Sequence, residues 1–336
     1  MSSFADEAKA RQAEFRAHSP TVNPQGHSPS DPYSQRHGHL LAPGQEQKNL
    51  YPSLRGENGA LKFFRDREIQ WHRHSRSGDA KKKDGPTRNM VSSQIACVNF
   101  LLPLCEIPSA LAAVARAIDD DVNDIVCLSH DGRVSPIEFE WIGLCSPLEE
   151  DVKRPTRGAN VTSIDAFMVA ATANGRRAYL MEWKYTENYP VGRDKGEGRS
   201  GETRRSRYAP LYADSPSFNG TVPMEEFLYE PFYQIMRLRL LADRMVKRKE
   251  FGVSDAKVVV VVPQENAAYR ERITSEPLRQ RFPKAKTVED VVFASLNRSN
   301  KAFAMVSPSI LVDAVEQECG NASSDWTAYQ RRRYGW

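Results

Sequence analysis

Three residues near the middle of the chain carry charge where a strand would normally carry apolar bulk. Glu182 and Lys184 stand two apart in the strand-like stretch 177–185, flanked by Leu180, Met181 and Trp183. Period-two geometry puts both side chains on one face, with Cα atoms about 7 Å apart. Asp165 stands in a second such stretch, 162–169, between Ile164 and Ala166. Asn174-Gly175 separates the two and is a strong hairpin signal, so the stretches should pair antiparallel. A turn centred there sets Asp165 opposite residue 184, to within one position, and brings two carboxylates and a lysine together. That arrangement suits a hard divalent cation. Mg²⁺, with Mn²⁺ as a possible substitute, takes only one or two carboxylates and keeps several waters. Such a cation lowers the pKa of a bound water and neutralises charge on a phosphate under attack. A neighbouring lysine can orient the water and stabilise the developing negative charge. From spacing alone, a structural acid–base–acid ladder across strands, worth about 0.2–1 kcal/mol, accounts for the pattern equally well.

These residues need a scaffold, and the sequence outlines one. Ser92-Ser93 offers an N-cap for a helix from Gln94 to Leu102, stopped near Pro103. A second helix is expected over 108–118, and a short strand over 125–128. Residues 137–142 alternate apolar and acidic side chains, with Glu138 and Glu140 on one face. Residues 186–222 read as polar loop. A long helix follows, from Glu225 or Pro231 to Lys249. Residues 257–263 are almost purely β-branched, as in a strand buried on both faces. Further helices are expected near 266–273, 288–296 and 308–319. The order predicts one α/β domain, with a mixed central sheet flanked by helices.

The Asp165 strand, followed by Glu182-Trp183-Lys184 and then by a helix and a buried strand, resembles the PD-(D/E)XK nuclease superfamily. Ser92 to Gln94, Phe139 to Trp141, the stretch from Gly158 to Asp165 and that from Glu182 to Glu187 are similar to a branch of bacterial restriction endonucleases. The resemblance covers roughly residues 90–315, and Ile164 departs from it where the superfamily name has proline. It implies a restriction-endonuclease-like core and a metal-dependent DNA endonuclease, restriction-like or defence-related. Asp165 and Glu182 would be metal ligands and Lys184 the catalytic lysine. Glu140 would be a further acid, with Glu138 as its rival. Gln234 would match a helix polar residue of some members, or be an ordinary surface glutamine. A nucleic-acid-binding protein with a catalytically silent nuclease fold is the alternative. A homodimer and a methyltransferase encoded nearby are further expectations of the resemblance.

Composition sets the frame. The chain has 336 residues, 47 Lys+Arg against 43 Asp+Glu, and a net charge of +4. A basic binding face must therefore be local. Arg193, Lys195, Arg199, Arg204, Arg205 and Arg207 make residues 191–210 basic, and such a segment can track a phosphate backbone. The basic side of the long helix, from Arg237 to Lys249, and the run Arg331 to Arg333 are weaker candidates. Gly196 to Thr203 imitates a phosphate-binding loop, but Glu202 stands where the lysine belongs. The five cysteines form no C-x-x-C pair, and no apolar run reaches membrane length; both point to a cytoplasmic protein. His37, His39, His72 and His74 read as polar composition, since no Cys or acid sits at ligand spacing. The expected division is a disordered leader (1–50), an extension (51–90), the nuclease-like domain (91–320) and a basic tail (321–336).

Overall fold

The computed structural model describes residues 2–23, 25, 31–72, 85–144, 148, 150, 157 and 161–336. His74, Cys145 and residues 158–160 of the stretch leading to Asp165 lie outside the described residues. In chain order the principal elements are α1 (Phe4–His18), α2 (Ser93–Leu101), α3 (Ala110–Arg116), β1 (Val122–Ile125), β2 (Leu128–His130), β3 (Arg133–Ser135), β4 (Glu138–Trp141), β5 (Ile164–Thr172) and β6 (Gly175–Trp183). They continue with α4 (Gly198–Ala213), α5 (Phe232–Lys247), β7 (Asp255–Val261), α6 (Val288–Ser295), β8 (Phe303–Val306), α7 (Pro308–Cys319) and α8 (Ser324–Tyr334).

One six-stranded mixed sheet holds the molecule together. β5 pairs antiparallel with β6, β6 runs parallel to β7, and β7 parallel to β8. The outer edge of β5 is shared: β4 covers its start and β1 its end, both antiparallel. Successive side chains enter opposite layers, as a pleated strand requires. Met168, Met181 and Val259 face α2, α3, α7 and α8. Phe167, Leu180 and Val258 face α5 and α6. β7 is buried on both sides because helices cover both faces, which is why its sequence is nearly all valine.

Several expectations are corrected. The hairpin turn is Ala173-Asn174, not Asn174-Gly175, because Gly175, at φ +121°, already pairs with Thr172 as the first residue of β6. The register therefore carries Asp165 opposite Glu182 rather than residue 184, and a two-residue shift preserves the shared face. Residues 186–222 are not all loop, since α4 forms within them. Its signal was masked by Gly198, Gly201 and Pro210, and tertiary contacts hold it: Tyr208 is buried and Gly201 packs on the Gly196 carbonyl too closely for any Cβ. That packing is what the glycine-rich stretch serves. The strand expected at 125–128 is two strands, β1 ending at Ile125 and β2 starting a separate hairpin at Leu128. β4 does not alternate in burial; all four of its residues are buried.

Within residues 1–50, Phe4–His18 form α1, capped by Ser3. It docks against α8 through polar as well as apolar groups. Gln12 Nε2 donates to the Arg333 carbonyl (2.9 Å) and to the Tyr185 hydroxyl (3.2 Å), while Phe15 stacks edge-on against Tyr329. Arg333 is fully buried and donates to Gln12 Oε1, the Asn49 carbonyl and the Tyr329 hydroxyl. Arg331 pairs with Asp313 and Glu316. Residues 324–334 are thus a packed helix, and Arg333 is no part of a basic binding surface.

Candidate active site

The sheet brings Asp165, Glu182 and Lys184 together at the end of β6, on the face covered by α5. Glu182 is 2 % and Lys184 6 % exposed. Lys184 Nζ donates to Glu182 Oε1 at 2.6 Å, and Gln234 Nε2, from the first turn of α5, donates to the same oxygen at 2.7 Å. Glu182 Oε2 is buried without a hydrogen-bond partner. Asp165 Oδ2 accepts from the Trp183 amide at 2.7 Å, which fixes one carboxylate against the backbone beside the other. Gln234 is therefore a site residue and not an ordinary surface glutamine.

Burial raises Asp165 to about 7, and Glu140 pushes the same way, against Lys184 and the Trp183 amide. Burial likewise raises Glu182 to about 8, reinforced by Asp165 and opposed by Lys184. For Lys184 burial alone would lower the value, but Glu182, Tyr189, Asp165 and Glu187 outweigh it and hold the ammonium well above its usual range. The lysine is a fixed cation between carboxyls that resist ionising together.

Glu138 and Glu140 have different partners. Glu138 is taken by Arg67 (3.1 Å) and Arg157 (2.7 Å) in a buried ion-pair cluster. Glu140 falls between the β4–β5 pairs that flank Asp165, and its backbone sits at φ +47°, a left-handed conformation that costs a non-glycine residue about 1–2 kcal/mol. Its carboxylate accepts from Gln94 Nε2 (2.8 Å) and Ser163 Oγ (2.9 Å), and His72 Nε2 lies 3.4 Å away. Of the two rivals, Glu140 is the one beside Asp165.

Sequence reasoning did not single out Ser163, and it took His72 for polar composition. Neither carries a local signal, since each acts through a partner distant in sequence or across the sheet. His37, His39 and His72 line one cleft of about 520 Å³ with Ser92, Thr186 and Glu187, so the leader walls one flank of the site. Among the described residues, no group of three or more His, Cys, Asp or Glu side chains is arranged to hold a metal ion. The donor set does fit a Mg²⁺-type ion, which needs one or two carboxylate oxygens, and the unpartnered Glu182 Oε2 is such an oxygen.

The basic segment divides by role. Lys195 pairs with Glu230 (2.7 Å), Arg204 donates to the Lys195 carbonyl (2.7 Å), and Arg205 donates to the Gly196 carbonyl. Arg193 and Arg199 are exposed, and Arg207 is half-buried on α4.

Fold and site together define an α/β protein with a buried carboxylate–lysine centre on paired strands of a mixed sheet. The chain belongs to the family described as Restriction Endonuclease associating with ARP, whose model matches residues 18–335. It is thus a restriction-endonuclease-like nuclease. No curated protein and no solved structure matches it. Among the described residues, no helix is long and apolar enough to cross a membrane.

Proposed function

We propose that this chain is a Mg²⁺-dependent DNA endonuclease of the PD-(D/E)XK type, acting in restriction or a related defence, with Mn²⁺ able to substitute. The observation that carries the reading is the Glu182 carboxylate, buried beside Asp165, with one oxygen bound by Lys184 and Gln234 and the other unpartnered. Asp165 and Glu182 would hold the cation, which when bound supplies charge neutralisation at the phosphate and a more acidic water. Lys184, kept protonated, orients the attacking water and stabilises charge on the phosphate as it builds. Gln234 holds the Glu182 carboxylate in one rotamer. Glu140, aligned by Gln94 and Ser163, adds negative charge next to Asp165 and favours cation capture. Arg193, Lys195, Arg199, Arg204, Arg205 and Arg207 would contact the DNA backbone. A cytoplasmic location, a homodimer that cuts both strands and a cognate methyltransferase belong to the same reading.

The test is cleavage of supercoiled plasmid in Mg²⁺ by wild type, Asp165→Ala and Lys184→Ala. Cleavage by wild type alone supports the reading. Equal activity in all three sinks it.

A further inference from the structure

A second pocket lies one helical turn from the acidic centre, and its chemistry is cationic. It measures about 440 Å³ and sits where α4 meets α5 and the entry to β5. Ser200, Arg204 and Arg207 line it from α4, at the i, i+4 and i+7 spacing that places them on one helix face. Arg237 and Tyr233 line it from α5.

These groups are held ready. The Tyr233 ring carries Arg237 at 4.6 Å and Arg204 at 5.8 Å from its centre, so one aromatic ring helps position two guanidinium groups. Arg237 Nη1 donates to Thr162 Oγ1 at 3.0 Å, whereas its buried Nε has no partner. The Arg207 side chain, on α4 and partly exposed, has no hydrogen bond or ion pair among the described residues. One carboxylate, Glu150, faces the pocket, but it accepts from the Thr162 amide, the Thr162 hydroxyl and the Tyr208 hydroxyl. Those three bonds favour its ionised form, and its charge also acts on Arg237, so the pocket sets three guanidinium groups against one carboxylate and stays cationic on balance. A planar donor fork with a free N–H is suited to the paired oxygens of a phosphate or a carboxylate, and the nuclease reading supplies phosphate.

Position supplies the rest. Thr162, which anchors Arg237, precedes Asp165 by three residues, about 10 Å of extended chain. Gln234, which holds Glu182, precedes Arg237 by three residues on α5, about one helical turn. At a rise of 3.4 Å per nucleotide along a strand, the pocket lies about one to three nucleotides from a phosphate bound at the carboxylates. We infer that the pocket formed by Arg204, Arg207 and Arg237 is a second phosphate site, which takes a backbone phosphate flanking the bond to be cut and so sets the register of the strand. This inference rests on the proposed nuclease reading for its substrate, but its binding readout is independent of cleavage.

The experiment uses the full chain carrying Glu182→Gln, without divalent cation, and a short DNA duplex. Adding Arg207→Ala should weaken binding about tenfold at 0.1 M salt and reduce the salt-dependence slope by about one. Arg207 is partly exposed and unpartnered, so the substitution should leave the fold intact, as circular dichroism can verify. An unchanged affinity and slope in a folded variant overturns the inference. In the cleaving wild type, a single uncharged methylphosphonate within three nucleotides of the cut should lower cleavage efficiency, and should add nothing to the loss in Arg207→Ala. Additive losses at every such linkage overturn the backbone assignment. So does Arg207-dependent binding of inorganic phosphate that fails to compete with the duplex, since the pocket would then serve a free phosphate. Absence of cleavage alongside a reduced salt slope refutes the proposed reaction while upholding the phosphate site.

Discussion

Lys184 Nζ lies 2.6 Å from Glu182 Oε1, two positions away on the same strand face, and Gln234 reaches that same oxygen from α5. One carboxylate oxygen is thereby committed and the other left open. The roles separate accordingly. Glu182→Gln should abolish Mg²⁺ binding in calorimetry, whereas Lys184→Ala should retain it and lose cleavage by about 10²–10⁴-fold. Loss of cation binding in Lys184→Ala would show that the lysine supports the ligands rather than the reaction.

Gln234 offers a subtler probe. Gln234→Ala keeps both carboxylates but frees the Glu182 rotamer, and should cost about tenfold in cleavage with weaker cation binding. Gln234→Glu sets a like charge against Glu182 and should cost more. If Gln234→Glu cleaved as well as wild type, the hydrogen bond to Glu182 would carry no positioning role.

The raised carboxyls give stability a pH dependence of definite sign. Asp165 at about 7 and Glu182 at about 8 lie above their unfolded values of about 4. Between about pH 4 and pH 8 the folded chain keeps protons that the unfolded chain has lost, so this site's contribution falls as pH rises. Asp165→Asn removes one of these charges and can still accept from the Trp183 amide. In urea unfolding with chelator present, its midpoint should exceed that of wild type at pH 8, converge with it only near pH 4, and lose its advantage when Mg²⁺ is added. Parallel midpoints across that range would contradict the assignment.

Glu138 and Glu140 should fail in different ways. Glu138→Gln weakens the buried pairing of Arg67 and Arg157 and should destabilise the fold by about 2–4 kcal/mol. Glu140→Gln retains bonds to Gln94 and Ser163 in altered form and should chiefly lower cleavage. The check is a urea midpoint beside a plasmid assay for each variant; the opposite pattern would reassign the further acid to Glu138.

Arg333→Ala should cost about 2–4 kcal/mol, because Gln12, Asn49 and Tyr329 would lose a buried charged donor. Arg331→Ala, at an exposed pair, should stay within about 1 kcal/mol. Neither should alter the salt slope of DNA binding. A slope change in Arg331→Ala would restore the basic run to the binding surface.

The central triad was legible because Asp165, Glu182 and Lys184 put charge where Ile164 and Leu180 mark a buried sheet, although spacing left a structural ladder equally open until the resemblance decided between them. The choice between Glu138 and Glu140 was not, because it depends on Arg67 and Arg157, whose approach no local pattern announces. α4 was hidden by its own glycines and proline. α1 was hidden because its buried face includes Gln12, a polar residue made apolar in effect only by Arg333 and Tyr185.

That last contact has a consequence for how the protein is made. Gln12 and Arg333 are 321 positions apart, and Gln12 also holds Tyr185, the residue after Lys184. On the ribosome, the strand bearing Lys184 emerges about 150 residues before Arg333 does, a lag of about 7–30 s at ordinary elongation rates. Until then the leader has no partner on α8, and the histidine-lined wall beside the acidic centre is not secured. A nascent chain therefore carries its carboxylates and lysine long before Gln12 can close on the Arg333 carbonyl.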